Sequence, residues 1–321
     1  MNFPVFDLHC DTALALLGKE LTHIDGLRQN NLMIDLERAS KLSGYAQCFA
    51  CFTTPMMEQW FHKTPVAMFE LELAAILSQI EKNADRIHLA YSAEEIEENY
   101  RNQIQSAMLT IEGAAGFGYD PALLEDLYNI GFRISTLGWN ESNLLCGSHV
   151  TGEGLTDAGK EYVKEAQRLG ILVDVSHLSD QGFWDIMNMT DAPVIASHSN
   201  SRAVYNISRN ITDDMFRQIC SCGGVVGFNM FCDFVGDSAD LDSAVDHFIH
   251  FAQMDPECKH LALGGDLDGC DSLIQGVSGI DDYPKLAQKL LDRGFSKENV
   301  MDIFWNNAIG VMKRAVHNHK K

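Results

Sequence analysis

Apolar residues fall into two kinds of stretch along this chain. Short, almost unbroken apolar runs cover residues 4–11, 45–52, 107–113, 132–139, 171–177, 193–199, 224–230 and 260–269. Between them lie longer stretches where apolar positions recur every three or four residues. Short runs of this kind match strands buried on both faces, and such strands joined by helical crossovers form a parallel sheet. The periodic stretches predict helices over 64–87, 120–131, 156–170, 212–224, 238–254 and 296–316. Their ends carry the expected punctuation: Thr156 as a cap with Gly170 as a stop, and a proline in the first turn after Asp120 with Gly131 as a stop. Eight strand-and-helix units predict an α/β protein, a somewhat distorted (β/α)8 TIM-type barrel with additional helices. A doubly wound open sheet is the runner-up. Residues 12–44 and 53–106 are too long for one crossover helix each and must hold extra structure. No linker, repeat or low-complexity tract interrupts the chain, which predicts one domain over 1–321.

Polar groups that suit neither a buried strand nor a dry interior collect where these runs end. The first ends in His9 and Asp11, the third in Glu112, the fifth in Asp174 and His177, the sixth in His198, and the eighth in Asp266 and Asp268. In a barrel, all of these ends open on the C-terminal face. Charged groups in a dry mouth need partners, and three histidines with several carboxylates make an N/O metal site. The set exceeds what one tetrahedral ion uses. Placement assigns His9 and Asp11 to one ion and His177 and His198 to a second. Glu112 bridges them, as the one glutamate at a strand end, and Asp266 shuttles a proton. Asp174 precedes His177 by three residues and should point elsewhere, either orienting a ligand from behind or packing as an ordinary polar group. Asp7 is expected to face the helical layer. His149, His247, His250, His260 and His317 read as surface or helix residues without a role. Trp60, Trp184 and Trp305 read as core. Gly264 and Gly265 are expected to allow close packing rather than to bind phosphate.

Composition narrows the function classes. Apolar residues make up 46% and charged residues 21%, a globular balance rather than a disordered one. The net charge of -21 disfavours nucleic acid and anionic membranes as partners. No targeting segment and no apolar run long enough to span a bilayer stands out. The nine cysteines are an odd number and scattered. Cys48 and Cys51 form a C-x2-C within a strand-like run, on opposite faces, so they predict core thiols rather than a zinc knuckle. A reducing, cytoplasmic setting is expected.

The stretches "DLHCDT" (7–12), "TIEGA" (110–114), "DVSH" (174–177), "IASHSNSRAVYNISRNITD" (195–213) and "GGDLDG" (264–269) resemble, in order and in kind, those of the membrane dipeptidase (renal dipeptidase) family of amidohydrolase-like metal barrels. The resemblance runs from His9 to the final helix. It implies a binuclear metal-dependent dipeptidase that holds two Zn2+ per chain on His9, Asp11, Glu112, His177 and His198. Glu112 bridges, and a hydroxide held between the ions attacks the amide. It implies Asp266 as the catalytic proton carrier and Arg209 as the grip on the substrate carboxylate; sequence alone does not separate Arg209 from Arg202. It also implies a small dipeptide as substrate, including one with a C-terminal D-residue, and a homodimer. The mammalian-type substrate-binding histidine is replaced by Trp139. That leaves the second metal or Asn140 to stabilise the tetrahedral oxygen, with Trp139 supplying an indole N–H or a flat wall, so Trp139 and Asn140 are the candidate substrate-binding residues. The membrane anchor of the animal enzymes is not expected here. The rival within the same barrels is an enzyme acting on cyclic amides, lactones or phosphoesters, which needs the metals but not Arg209.

Overall fold

In a computed structural model that describes residues 3–18 and 26–318, nine strands form one parallel sheet. They are β1 (Val5–Cys10), β2 (Tyr45–Phe52), β3 (Ile87–Leu89), β4 (Gln105–Glu112), β5 (Phe132–Thr136), β6 (Leu172–Asp174), β7 (Val194–Ile195), β8 (Val226–Phe228) and β9 (Leu261–Leu263). Their order is β7-β6-β5-β4-β2-β1-β9-β8. The two edges meet: the Ala196 amide donates to Val225 O at 3.0 Å, and the Gly227 amide donates to Ala196 O at 2.8 Å. The sheet therefore closes as a barrel, which excludes the open doubly wound alternative. All eight apolar runs became barrel strands.

The ninth strand is an addition that periodicity did not reveal. Short β3 pairs with Gln105–Ala107 of β4, whose farther half pairs with β5. The helix expected over 64–87 covers only Pro65–Lys82, started by a Thr64 cap that accepts from the Ala67 amide. Asn83 then folds back on Gln79 O through its side chain at 2.8 Å, and the chain turns into β3. Helix Ala93–Arg101 is part of the extra structure expected within 53–106, and Asp180–Met187 and Tyr283–Asp292 complete crossovers whose bounds periodicity leaves open. The expected helix 296–316 is broken by a π-helical segment, Asp302–Asn306, between Lys297–Met301 and Asn307–Asn318.

Alternation sorts the strand residues into two cores. Phe6, Leu8, Ala46, Cys48, Met108 and Ile134 pack inside the barrel with Trp305 and Met312 of the closing helical segment. The rings of Phe6 and Trp305 lie 6.0 Å apart, so this segment covers the N-terminal end. Phe49, Cys51, Leu109 and Phe132 face the outer helices. Cys48 and Cys51 thus do lie on opposite faces. Trp305 is core, and Trp184 is half-buried against the outer core. Trp60 corrects the expectation: it is 44% exposed, because its short helix Met57–Phe61 lies over the C-terminal mouth rather than in the helical ring.

The strand ladders stop short of the chemistry. His177, His198 and Asp266 each sit three residues beyond the last residue of β6, β7 and β9. His177, Asp266 and Asp268 adopt left-handed backbone, at φ 70°, 58° and 65°. Such conformations are uncommon outside glycine and gather at functional sites. In β1 the device is a bulge. Asp7 pairs with Gln47 but Cys10 with Phe49, so Leu8 and His9 together oppose one residue of β2. Strict alternation would have put Asp7 and His9 on one face. The extra residue instead leaves Asp7 facing the helical layer, as expected, where it accepts from the His9 and Gly265 amides at 2.9 and 3.1 Å and from the Tyr283 hydroxyl.

Close approach explains the glycines near the seam. A Cβ on Gly264 would fall 1.7 Å from Ser197 O, and one on Gly227 1.9 Å from the same oxygen. Gly264→Ala should therefore cost about 3 kcal/mol, at the upper end for overpacking because the clash is with backbone. Urea unfolding should show a lower midpoint at an unchanged slope; a wild-type midpoint would show that the seam has room to spare.

Candidate active site

Six of the strand-end groups converge at one mouth, none of them more than 8% exposed: His9, Asp11, Glu112, His177, His198 and Asp266. His9 Nε2 lies 3.3 Å from Asp11 Oδ2, 3.3 Å from Glu112 Oε2 and 3.7 Å from Asp266 Oδ1. The other Glu112 oxygen, Oε1, lies 3.0 Å from His177 Nε2 and 3.7 Å from His198 Nε2. Glu112 thus turns one oxygen to each half of the cluster, and Asp266 approaches the His9 half. The ligand atoms of His9, Glu112 and His198, and those of His9, Asp11 and Asp266, lie within 4.8 Å of one another.

The proton positions follow from the partners behind the rings. Asp174 accepts from the amides of Ser176 and Ser197 at 3.0 and 2.9 Å and from the Ser197 hydroxyl. The Ser197 oxygen in turn faces His198 Nδ1 at 2.7 Å. With its proton given to Asp174, that oxygen accepts the His198 Nδ1–H. Asn140 Oδ1 takes the His177 Nδ1–H at 2.9 Å. Both Nε2 lone pairs are then left facing each other, 3.0 Å apart. Among the described residues Asp11 Oδ1 is buried without a hydrogen-bond partner, and His9 Nε2 makes no well-formed hydrogen bond, meeting carboxylate oxygens only at 3.3 Å and beyond. Opposed lone pairs and orphaned acceptors are costly in a dry site, and a divalent cation relieves both. The donor set of neutral imidazoles and carboxylates fits such ions.

Without a cation the acids hold a proton on His9, which a bound ion would displace. Burial, with Asp11 next, pushes the Glu112 carboxyl up to about 8. Burial opposes the His9 imidazolium, but Glu112 and Asp11 overcome it and hold its pKa well above the usual range. His177 and His198 are driven far down, by burial first and then by Arg209 and His9 respectively.

The structure separates the two arginines. Arg202 turns outward and pairs with Asp180 through two contacts of 2.7 Å. Arg209 is buried, donating to Ser199 Oγ at 2.7 Å and His198 O at 2.9 Å. Its Nε has no partner, and among the described residues it forms no ion pair. Its guanidinium carbon sits 5.4 Å from the Phe234 ring, which lines a cavity of about 190 Å³ over the cluster. Asp11, Glu112, Asp266 and His177 form the polar floor of that cavity, and Leu14, Phe52, Trp139 and Phe231 its apolar wall. Trp139 is held edge-on by Phe52 and Trp60, at 5.3 and 5.6 Å.

Other residues land differently from expectation. Asp268 reaches the rim but turns from the histidines, accepting from the Thr12 hydroxyl at 2.7 Å and the Met33 amide at 2.6 Å. His149 is half-buried beside the site, with Nε2 2.9 Å from Asn140 Oδ1. It corrects the view of that residue as roleless surface, because the 140–149 loop folds back on the mouth. His247 lies on a helix as expected but is fully buried: its Nδ1 accepts from the Ser201 amide at 3.0 Å, and its Nε2 donates to Val235 O at 2.9 Å. His250 meets Asp213 at 2.8 Å and His260 meets Gly224 O at 2.7 Å, both partly buried. The side chain of His317 lies outside the described residues. Asn229, which donates to Asp266 Oδ2 at 2.9 Å, was not foreseen, since nothing in its local sequence marks it.

The profile of the membrane dipeptidase family, peptidase family M19, matches residues 1–321. The chain belongs to the membrane dipeptidase family. An uncharacterized dipeptidase of Schizosaccharomyces pombe is 34% identical over 220 residues, 66% of this chain and 54% of that protein. The dipeptidase tcpJ of Claviceps purpurea is 30% identical over 73% of this chain and 56% of its own length. The chain thus spans about half the length of these two curated relatives. A metallopeptidase of Rhodobacter sphaeroides, solved with a phosphinate mimic of the dipeptide L-Ala-D-Ala, superposes with a TM-score of 0.88 at 25% identity, covering 98% of this chain and 100% of that one. Among the described residues of this family member, no helix is long and apolar enough to cross a membrane.

If cations complete the cluster, chelator-stripped protein should melt lower than the zinc-loaded form. Added zinc should restore stability by about 2.7 kcal/mol at a free concentration of about one hundred times its Kd. Calorimetry with and without metal checks this; a melting temperature indifferent to zinc would contradict cation binding.

Proposed function

We propose that this chain is a zinc-dependent dipeptidase that cleaves the amide bond of dipeptides, including those with a C-terminal D-residue. The observation that carries this reading is the buried Arg209, which has no carboxylate partner among the described residues, set beside a cluster suited to cations. A guanidinium buried in that state is costly unless an acid completes it, and a free carboxylate matches its fork. A lactone or phosphotriester substrate would leave Arg209 unpaired. The mimic bound by the Rhodobacter relative supports both the dipeptide and the D-hand at its second residue.

His9 and Asp11 would hold one Zn2+ and His177 and His198 a second, with Glu112, which turns one oxygen to each half, shared between them. Such ions supply Lewis acidity and make water acidic enough to be a nucleophile near neutral pH. The protein residues do the rest. Arg209 fixes the terminal carboxylate and limits the substrate to a short one. Asn229 holds Asp266 Oδ2, which leaves Oδ1 turned to the cluster to accept a proton from the attacking water and return it to the leaving amine. Leu14, Phe52, Trp139 and Phe231 offer the substrate's side chains an apolar wall. The β1–β9 pairing and the packing of the last helical segment on Phe6 support one domain over the chain. Nine free thiols support a reducing, cytoplasmic setting.

A panel of L-Xaa-D-Xaa and L-Xaa-L-Xaa dipeptides with added zinc tests the reading, and no hydrolysis of any member would sink it. Arg209→Met should raise KM by roughly a hundredfold while bound zinc is unchanged, because it removes charge-assisted bonds to a group distant from the metals. Asp266→Asn should lower kcat by about 10²–10⁴-fold with KM nearly unchanged, the usual loss of a general acid–base; steady-state kinetics separates the two outcomes.

A further inference from the structure

One amide oxygen at the mouth has two imidazole neighbours. Asn140 Oδ1 lies 2.9 Å from His177 Nδ1 and 2.9 Å from His149 Nε2. The loop carrying His149 is fastened to the same place. The His149 amide donates to His177 O at 2.8 Å, and the Ser148 hydroxyl donates to Asn140 O at 2.7 Å. The outer nitrogen of His149, Nδ1, meets Ser208 Oγ at 3.0 Å.

An asparagine amide has an accepting end and a donating end, and its orientation dictates the tautomer of any ring that faces it. Were the amide reversed, Nδ2–H would meet His177 Nδ1. The His177 proton would then move to Nε2, against His198 Nε2 only 3.0 Å away. A ring protonated at Nε2 has no lone pair to offer a metal there. A second N–H on the same oxygen penalises that reversal, because two donors would then face Nδ2–H. His149 supplies the second N–H when Ser208 donates to its Nδ1. With Oδ1 taken by both rings, Nδ2–H is left toward the cavity that Asn140 lines. Among the described residues, no group accepts from it.

We propose that His149 is a positioning residue: through the shared Asn140 oxygen it locks His177 in the Nδ1–H tautomer and aims the Asn140 amide N–H at the substrate. His149 touches neither metal nor substrate. The consequence is a division of labour within one side chain. Asn140 Oδ1 serves metal binding, and Asn140 Nδ2–H serves the carbonyl oxygen of the scissile amide as charge develops on it. This rests on the dipeptidase reading for the substrate half, while the metal half stands on the geometry alone.

The test compares zinc affinity by chelator competition, melting of the metal-free protein, and kcat and KM in wild type and three variants. His149→Ala should weaken zinc by about 10–100-fold, the usual cost of losing a partner behind a ligand, with the metal-free melting temperature unchanged. His149→Gln, which can still donate to Asn140, should recover affinity to within about threefold of wild type. Asn140→Asp keeps an acceptor for both rings but loses the N–H; it should hold zinc at least as tightly as wild type yet lose about 10²-fold in kcat. Wild-type zinc affinity in His149→Ala overturns the proposal, as does an equal loss in His149→Gln. If His149→Ala fails to fold, Asn140→Asp decides alone: loss of zinc affinity, or retention of kcat, overturns it. If wild type cleaves no dipeptide, the functional reading falls, and the zinc comparison still decides the role of His149.

Discussion

Burying opposed lone pairs and several carboxylates in one dry mouth is the constraint on which the rest of this structure turns. His177 Nε2 and His198 Nε2 face each other at 3.0 Å, and His9 Nε2 faces three carboxylates at 3.3 to 3.7 Å. Leaving such groups uncompensated costs several kcal/mol each. A cation would reverse the sign of that cost, and groups behind the rings hold them still. Asp174 acts through Ser197 on His198, and Asn140 acts directly on His177. Neither ring can rotate or exchange its proton without breaking the hydrogen bond behind it.

The backbone serves the same end. A bulge in β1 turns His9 into the barrel while Asp7, two residues earlier, ties the strand to Gly265 and Tyr283 outside it. Left-handed residues past β6 and β9 lift His177 and Asp266 off the ladder. At the seam, glycines at 227 and 264 admit the Ser197 carbonyl, which brings the β7, β8 and β9 ends together. The precision of the mouth therefore rests on local departures from regular strand geometry, over an interior of ordinary apolar packing that the final helical segment closes from below.

Arg209 shows how burial distinguishes chemically equal residues. Arg202 has the same fork and lies as near His198 in sequence, yet it pairs with Asp180 at the surface and is satisfied. Arg209 is enclosed among Ser199, His198 O and Phe234 with one nitrogen unpaired. A cation that the protein leaves incomplete is the part of the site that asks for a ligand.

The eight barrel strands were legible because each is a short apolar run whose period and length admit little else, and the polar residues at their ends stood out against that background. His9, Asp11, Glu112, His177, His198 and Asp266 were therefore readable as a set, since a barrel brings all strand ends to one face. What lay beyond the sequence depends on contacts between segments distant along the chain. Short β3 has too few residues to show a period, and Trp60 has the same neighbours in sequence whether its helix joins the ring or lies over the mouth. His149 and Asn229 gain their meaning from Asn140 and Asp266 across loops. Periodicity and residue type determined which groups gather at the mouth. Tertiary structure alone decided which of them face each other, which are held from behind, and which arginine is enclosed without a carboxylate among the described residues, because hydrogen-bond direction and burial are properties of the folded neighbourhood and not of the residue.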